Sequence, residues 1–161
     1  MADKEMGADR SGAWRAVVEA YQVCSNRYGA TLEKCGLTTA QYEVMLVIRT
    51  LGEQATPKRI ADRLLVTKGN ITGVTSRLLS RELISKQAHD SDGRSMIFGL
   101  TDAGYRLLSD AQAVASEFVN QQLEPFSDAE VEIVGRLMRR MKTHLLTIDP
   151  ETVVHTVSSQ R

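Results

Sequence analysis

The stretch Thr56-Pro57-Lys58-Arg59-Ile60-Ala61-Asp62-Arg63-Leu64-Leu65-Val66-Thr67-Lys68-Gly69-Asn70-Ile71-Thr72-Gly73-Val74-Thr75-Ser76-Arg77-Leu78 reads as two short helices separated by a tight turn. Thr56 offers an N-cap hydroxyl ahead of Pro57, whose fixed φ suits the first helical position. Ile60, Ala61, Leu64 and Leu65 then supply the inward face of a helix of about two turns. A second start follows at Thr67, and Ile71, Val74 and Leu78 recur at steps of three and four, which predicts a helix to about Glu82. Its other face, from Lys68 through Ser76, is small and polar. Gly69 and Gly73 each cost roughly 1 kcal/mol against alanine in a helix, so close approach of a partner or close packing of a neighbour must offset them.

Leu83 to Ala88 and Ser95 to Leu100 read as two short strands around a turn-rich, charged loop, His89-Asp90-Ser91-Asp92-Gly93-Arg94. Two short helices followed by a hairpin are the parts of a winged helix-turn-helix, whose second helix enters the DNA major groove while the first crosses the backbone. On that reading Thr67, Lys68, Asn70, Thr72, Gly73 and Ser76 form the base-facing side, with short donors and acceptors and a backbone that can approach base edges. Lys58 and Arg77 are placed to meet phosphates. Arg81 either joins them or pairs internally with Glu82 or Asp62. Arg94 suits a narrow minor groove, where negative potential attracts a guanidinium, and Asp92 can orient it.

Outward from this unit the chain is helical. Trp14, Val17, Val18, Tyr21, Cys24, Tyr28, Leu32 and Cys35 mark one stripe of a long helix that Gly36 stops. Tyr42 to Leu51 is a short apolar helix that Thr38 or Thr39 can cap and Gly52 ends. Thr101-Asp102 opens a fifth helix running to about Leu123, and Ser127-Asp128-Ala129-Glu130 is a capping box that opens a sixth, which Asp149-Pro150 stops. The expected fold is mainly α with a small β-wing, a winged helix-turn-helix with long N- and C-terminal dimerisation helices. Residues 1–161 are expected to form a single domain, with a dimerisation region in 11–36 and 101–148 around a winged unit in 37–100. The tails 1–10 and 149–161 show no pattern and are expected to be mobile.

Composition bounds the function. The 161 residues carry 20 Lys+Arg and 20 Asp+Glu, so the net charge is zero. Split by position, residues 1–55 carry −1, residues 56–100 carry +4 and residues 101–161 carry −3. The positive excess thus coincides with the winged unit, as a localised anion-binding face requires, although a solvated helical surface has the same composition. No apolar run reaches the ~18 residues of a membrane span and the N-terminal stretch is polar, so a cytoplasmic location is expected. Apolar positions on the first and sixth helices, including Leu137, Met138, Met141 and Leu146, exceed what a small winged unit needs for its own core, which predicts a homodimer.

From about Gly36 to Leu108 the chain resembles the MarR-type winged-helix transcription regulators. The wing sequence Asp92-Gly93-Arg94-Ser95-Met96-Ile97-Phe98-Gly99-Leu100-Thr101 is similar to the family's Asp-x-Arg wing, and Gly36-Leu37-Thr38 with Gln41-Tyr42, and Ile60-Ala61-Asp62-Arg63-Leu64, resemble its second and third helices. The resemblance implies a dimeric, sequence-specific DNA-binding regulator, most often a repressor, released by a small aromatic or phenolic ligand. With two-fold symmetry and recognition helices about 34 Å apart, the operator is expected to be an imperfect palindrome. The alternatives are a winged-helix protein-interaction module and a redox-responsive regulator using Cys24.

A ligand cleft could be lined by Trp14, Tyr21, Tyr28, Tyr42 and Met45, with Arg49 as carboxylate anchor. Each is equally at home in a core, and Arg49 could pair with Glu43 or Glu53 instead. Trp14 and Glu43 resemble a urate-responsive branch of the family, but Val74 stands where that branch has a basic residue. Cys24 and Cys35 lie ~16 Å apart on one continuous helix, which excludes an intrachain disulfide and suits inert thiols. His89, His144 and His155 lack ligand spacing, so no metal or cofactor is expected. There is no phosphate loop, Gly-x-Gly-x-x-Gly, His-Glu-x-x-His or serine elbow, so an enzyme is not expected.

Overall fold

A computed structural model describes residues 9–89 and 92–158, with only the backbone described at 89, 92–95, 153, 156 and 157. Helix α1 spans Arg10–Lys34, α2 Thr39–Leu51, α3 Pro57–Leu64 and α4 Lys68–Ser80. Strands β1, Ile84–His89, and β2, Asp92–Leu100, form an antiparallel pair, and α5, Asp102–Leu123, α6, Asp128–Leu145, and α7, Pro150–Ser158, follow. The chain divides into two compact units, Met1–Phe118 and Val119–Arg161.

In the first unit the helix starts are set by side chains. Thr38 accepts from the Gln41 N–H and the Gln41 side chain accepts from the Thr38 N–H, a capping box on α2. Thr56 and Thr67 accept from the N–H groups of Arg59 and Asn70. Leu32, Leu37, Met45, Ile48, Ile60, Ile71, Leu78 and Leu108 are at most 2% exposed and make the core on which α2, α3 and α4 close. The hairpin is tied to it through the Phe98 N–H, which donates to the Ala55 carbonyl at 3.0 Å. Gly36, at φ +78°, turns the chain out of α1, where only glycine is unstrained.

Two expectations are corrected in this unit. Leu65, assigned to the inward face of α3, is 77% exposed and ends the helix in the left-handed conformation at φ 57°. The turn needs that backbone, because the Val66 N–H reaches back to the Ala61 carbonyl, and for a non-glycine residue it costs about 1–2 kcal/mol. The wing loop expected over 89–94 is narrower. Pairing continues to His89 opposite Asp92, past an irregularity at Ala88, because each added pair satisfies backbone groups the loop would leave to water.

In the second unit the Glu130 carboxylate accepts from the Ser127 N–H and hydroxyl at 2.9 and 2.7 Å, and these bonds hold its pKa below the ordinary value. The C-terminal stretch read as patternless forms α7: Asp149 accepts from the Glu151 N–H and the Thr152 hydroxyl, and Pro150 takes the first helical position. Asp149-Pro150 thus starts a helix by the same chemistry as Thr56-Pro57. No helix among the described residues is long and apolar enough to cross a membrane.

Candidate nucleic-acid interface

Helix α4 is split lengthwise. Ile71, Thr75 and Leu78 are buried against the first unit's core, and Val74 is half-buried. Lys68, Gly69, Asn70, Thr72, Gly73, Ser76 and Arg77 all lie on the exposed side. Thr75, the one polar residue turned inward, returns its hydroxyl to the Ile71 carbonyl at 2.9 Å, so the buried face carries no unsatisfied group there.

The exposed face suits base reading. The Thr72 hydroxyl donates to the Lys68 carbonyl at 3.1 Å, which leaves its oxygen lone pairs outward as acceptors for base amino groups. The Asn70 amide has no hydrogen-bond partner among the described residues and keeps both donor and acceptor. A Cβ built on Gly73 would meet nothing within 4 Å, and one on Gly69 only the Thr67 hydroxyl at 3.8 Å. Packing among the described residues therefore does not account for the two glycines.

Thr67 fixes where this face begins. Its side chain satisfies the Asn70 N–H at 3.4 Å, so replacing it with alanine frees a first-turn donor. Thr67→Ala is expected to lower stability by about 1 kcal/mol in denaturant titrations, with a larger relative effect on DNA binding than on the melting temperature.

The cations divide. Lys58 on α3 and Arg77 on α4 are exposed. Arg81 is exposed as well but engaged: its Nη1 donates to the Gly36 carbonyl at 2.9 Å, so it ties the turn after α1 to the end of α4 instead of pairing with Glu82 or Asp62. Asp92 and Arg94 stand at the start of β2, at the tip of the hairpin; their side chains lie outside the described residues.

The expected ligand residues are only partly brought together. Tyr28 and Tyr42 meet edge-on at 6.3 Å between ring centroids, and Tyr28 also meets Phe118 at 5.4 Å. Burial, reinforced by Tyr42, pushes the Tyr28 phenol well above its ordinary pKa, so it stays a neutral hydrogen-bond group at any physiological pH. Met45 is core, whereas Trp14 and Tyr21 are 66% and 71% exposed along the outer turns of α1. Arg49 is exposed, and its guanidinium bonds the Gln112 side chain on α5, not Glu43 or Glu53. Cys24 and Cys35 are half-buried and neither is in a disulfide, and the Cys35 Sγ sits 3.8 Å from the Thr31 carbonyl. No His/Cys/Asp/Glu cluster fit for a metal occurs among the described residues.

Sequence reasoning missed Phe118 as a partner of Tyr28, and it missed the outward turn of Leu65 and Val66, which are 77% and 40% exposed beside Thr67. Nothing in a run of leucines distinguishes the one that leaves the helix in a left-handed turn.

Residues 37–96 match the model of the MarR family. The HTH-type transcriptional regulator MhqR of Bacillus subtilis is 25% identical over 122 residues, which cover 76% of this chain and 83% of that protein. An uncharacterized HTH-type transcriptional regulator of Bacillus anthracis is 30% identical over 117 residues, 70% of this chain and 75% of its own length. Among solved structures, AbsC, a MarR family transcriptional regulator from Streptomyces coelicolor, superposes with a TM-score of 0.77 at 17% identity, covering 92% of this chain and 98% of that one. A mutant MarR from E. coli complexed with operator DNA superposes with a TM-score of 0.73 at 22% identity, covering 79% and 91%.

Proposed function

From the premise that this chain belongs to the MarR family of DNA-binding transcriptional regulators, we propose that it acts as a homodimeric repressor of an imperfect palindrome. The observation that carries this reading is the division of α4, with an apolar side locked in the core and a side of short polar residues and glycines open to an approaching surface. Laid in a major groove, Asn70 and Thr72 read base edges, Lys68 and Arg77 flank them on phosphates, Lys58 on α3 reaches the backbone, and Asp92 and Arg94 bring the wing to the minor groove.

The second copy is supplied by apolar surface. On α6, Ile133, Val134, Leu137, Met138, Met141 and Leu145 are 38–58% exposed, and no residue of that helix is buried. Such a stripe is expected to be covered by its symmetry mate. The Tyr28, Tyr42 and Phe118 cluster, with its neutral phenol, is the feature best suited to a small aromatic or phenolic ligand whose binding releases DNA. The protein performs no enzymatic step in this reading and works in the cytoplasm beside its DNA.

The test is selection of bound sequences from random DNA by the purified protein, followed by titration of variants on the selected site. Asn70→Ala and Arg94→Ala are each expected to weaken specific binding by about 1–3 kcal/mol and to relax preference at the positions they contact. If both variants bound the selected site as tightly as the parent, this docking would be wrong. Repeating the selection with aromatic acids, urate and peroxide tests the ligand and thiol readings together.

A further inference from the structure

Leu65 holds a conformation that its own side chain makes unfavourable. The left-handed turn at φ 57° is required by the backbone, since the Leu65 and Val66 N–H groups close onto Asp62 and Ala61 at 3.4 and 3.1 Å. Glycine meets that requirement without penalty, and asparagine nearly so. Leucine gains nothing inside the fold in return, because it is 77% exposed. Glu82, the other described non-glycine residue at positive φ, has its own carbonyl accepting from the Thr101 hydroxyl at 2.7 Å, and is polar as an exposed turn residue normally is. An exposed leucine in the same backbone state calls for an outside contact.

Its position names the occupant. Leu65 and Val66 immediately precede Thr67, the cap of α4, so two exposed apolar residues lead along the chain into the turn that presents the exposed Lys68, Asn70 and Thr72. The apolar group that duplex DNA displays in its major groove is the thymine C5-methyl. We propose that Leu65, supported by Val66, packs on a thymine methyl group at the edge of the site read by α4, and so sets a thymine requirement in each half of the operator. This rests on α4 being the recognition helix. A protein partner or a second copy of this chain could also cover the pair, and the experiment separates these.

Full-length protein and its Leu65→Gly and Leu65→Asn variants are compared on the selected operator and on versions with deoxyuridine replacing thymine at one symmetric pair of positions at a time. Both variants are expected to melt no lower than the parent, because both residues accept the left-handed turn. Loss of a methyl contact weakens binding about 4-fold per half-site, hence roughly 15-fold for the dimer. The parent should show that loss at one deoxyuridine pair, and the glycine variant, already weakened, should show no further loss there. Equal affinity of parent and glycine variant for the intact operator would overturn the proposal, as would deoxyuridine effects that are identical in parent and variant at every position. Dissociation of the variants to monomers by light scattering would overturn it in favour of a contact between copies. Failure of the parent to bind any selected duplex would instead remove the DNA-binding reading itself.

Discussion

Raising the salt concentration from about 50 to about 200 mM is expected to weaken operator binding by roughly 10³–10⁵-fold, the fall associated with about 6–10 phosphate contacts. Two protomers reach that range with Lys58, Lys68 and Arg77 from each, all on exposed surfaces of α3 and α4. Each contact releases condensed counterions from the duplex, and the entropy of that release is what added salt removes. A chain with zero net charge has no global attraction to DNA, so the whole slope must come from the locally positive winged unit. Binding isotherms by fluorescence anisotropy across the salt series give the slope directly. A winged unit used as a protein-interaction module would show a shallow one, and replacing Arg77 by alanine should lower the dimer's slope by about two if each copy meets one phosphate.

The second large effect concerns the joint on which the wing is mounted. Gly104, in the first turn of α5, lies so close to the end of the previous segment that a Cβ there would stand 2.0 Å from the Leu83 carbonyl oxygen. That oxygen cannot retreat easily. It accepts the Thr101 N–H at 3.2 Å, and the Leu83 N–H is bonded to Leu78 at 3.0 Å. Gly104→Ala is therefore expected to cost about 3 kcal/mol or more, although alanine is the better helix former, and to lower Tm by roughly 10 °C. Because Leu83 leads directly into β1, operator binding should fall with it as the hairpin shifts. Thermal and urea melts read the first effect, and a variant within about 0.5 kcal/mol of the parent would show that this joint is more yielding than its hydrogen bonds imply.

Local chemistry made much of the fold readable. Thr56-Pro57, Thr67 and the Ser127 to Glu130 spacing signal helix starts through side chains that act within four residues, and each helix begins there. The same chemistry at Asp149-Pro150 reads in the sequence only as a stop, because no apolar period follows it to advertise a helix facing a core. The split of α4 is likewise visible, since Ile71, Val74 and Leu78 share a side that the polar residues do not, whereas the burial of Thr75 on that side is not.

What the sequence determined by itself is the order of the elements from α1 to α6, most of the caps that begin them and the confinement of positive charge to the winged unit, because all of these depend on neighbours along the chain or on simple sums. Only the tertiary structure decided which of several equivalent-looking residues does what. Arg77 stays outside while Arg81 turns back to the Gly36 carbonyl, Leu64 packs while Leu65 projects, Arg49 finds Gln112, and Gly104 is held by Leu83. Each of those outcomes depends on a partner 20 or more residues away or on one backbone torsion, and helical periodicity, which resolves a face but neither its neighbour nor its ending, carries no information about either.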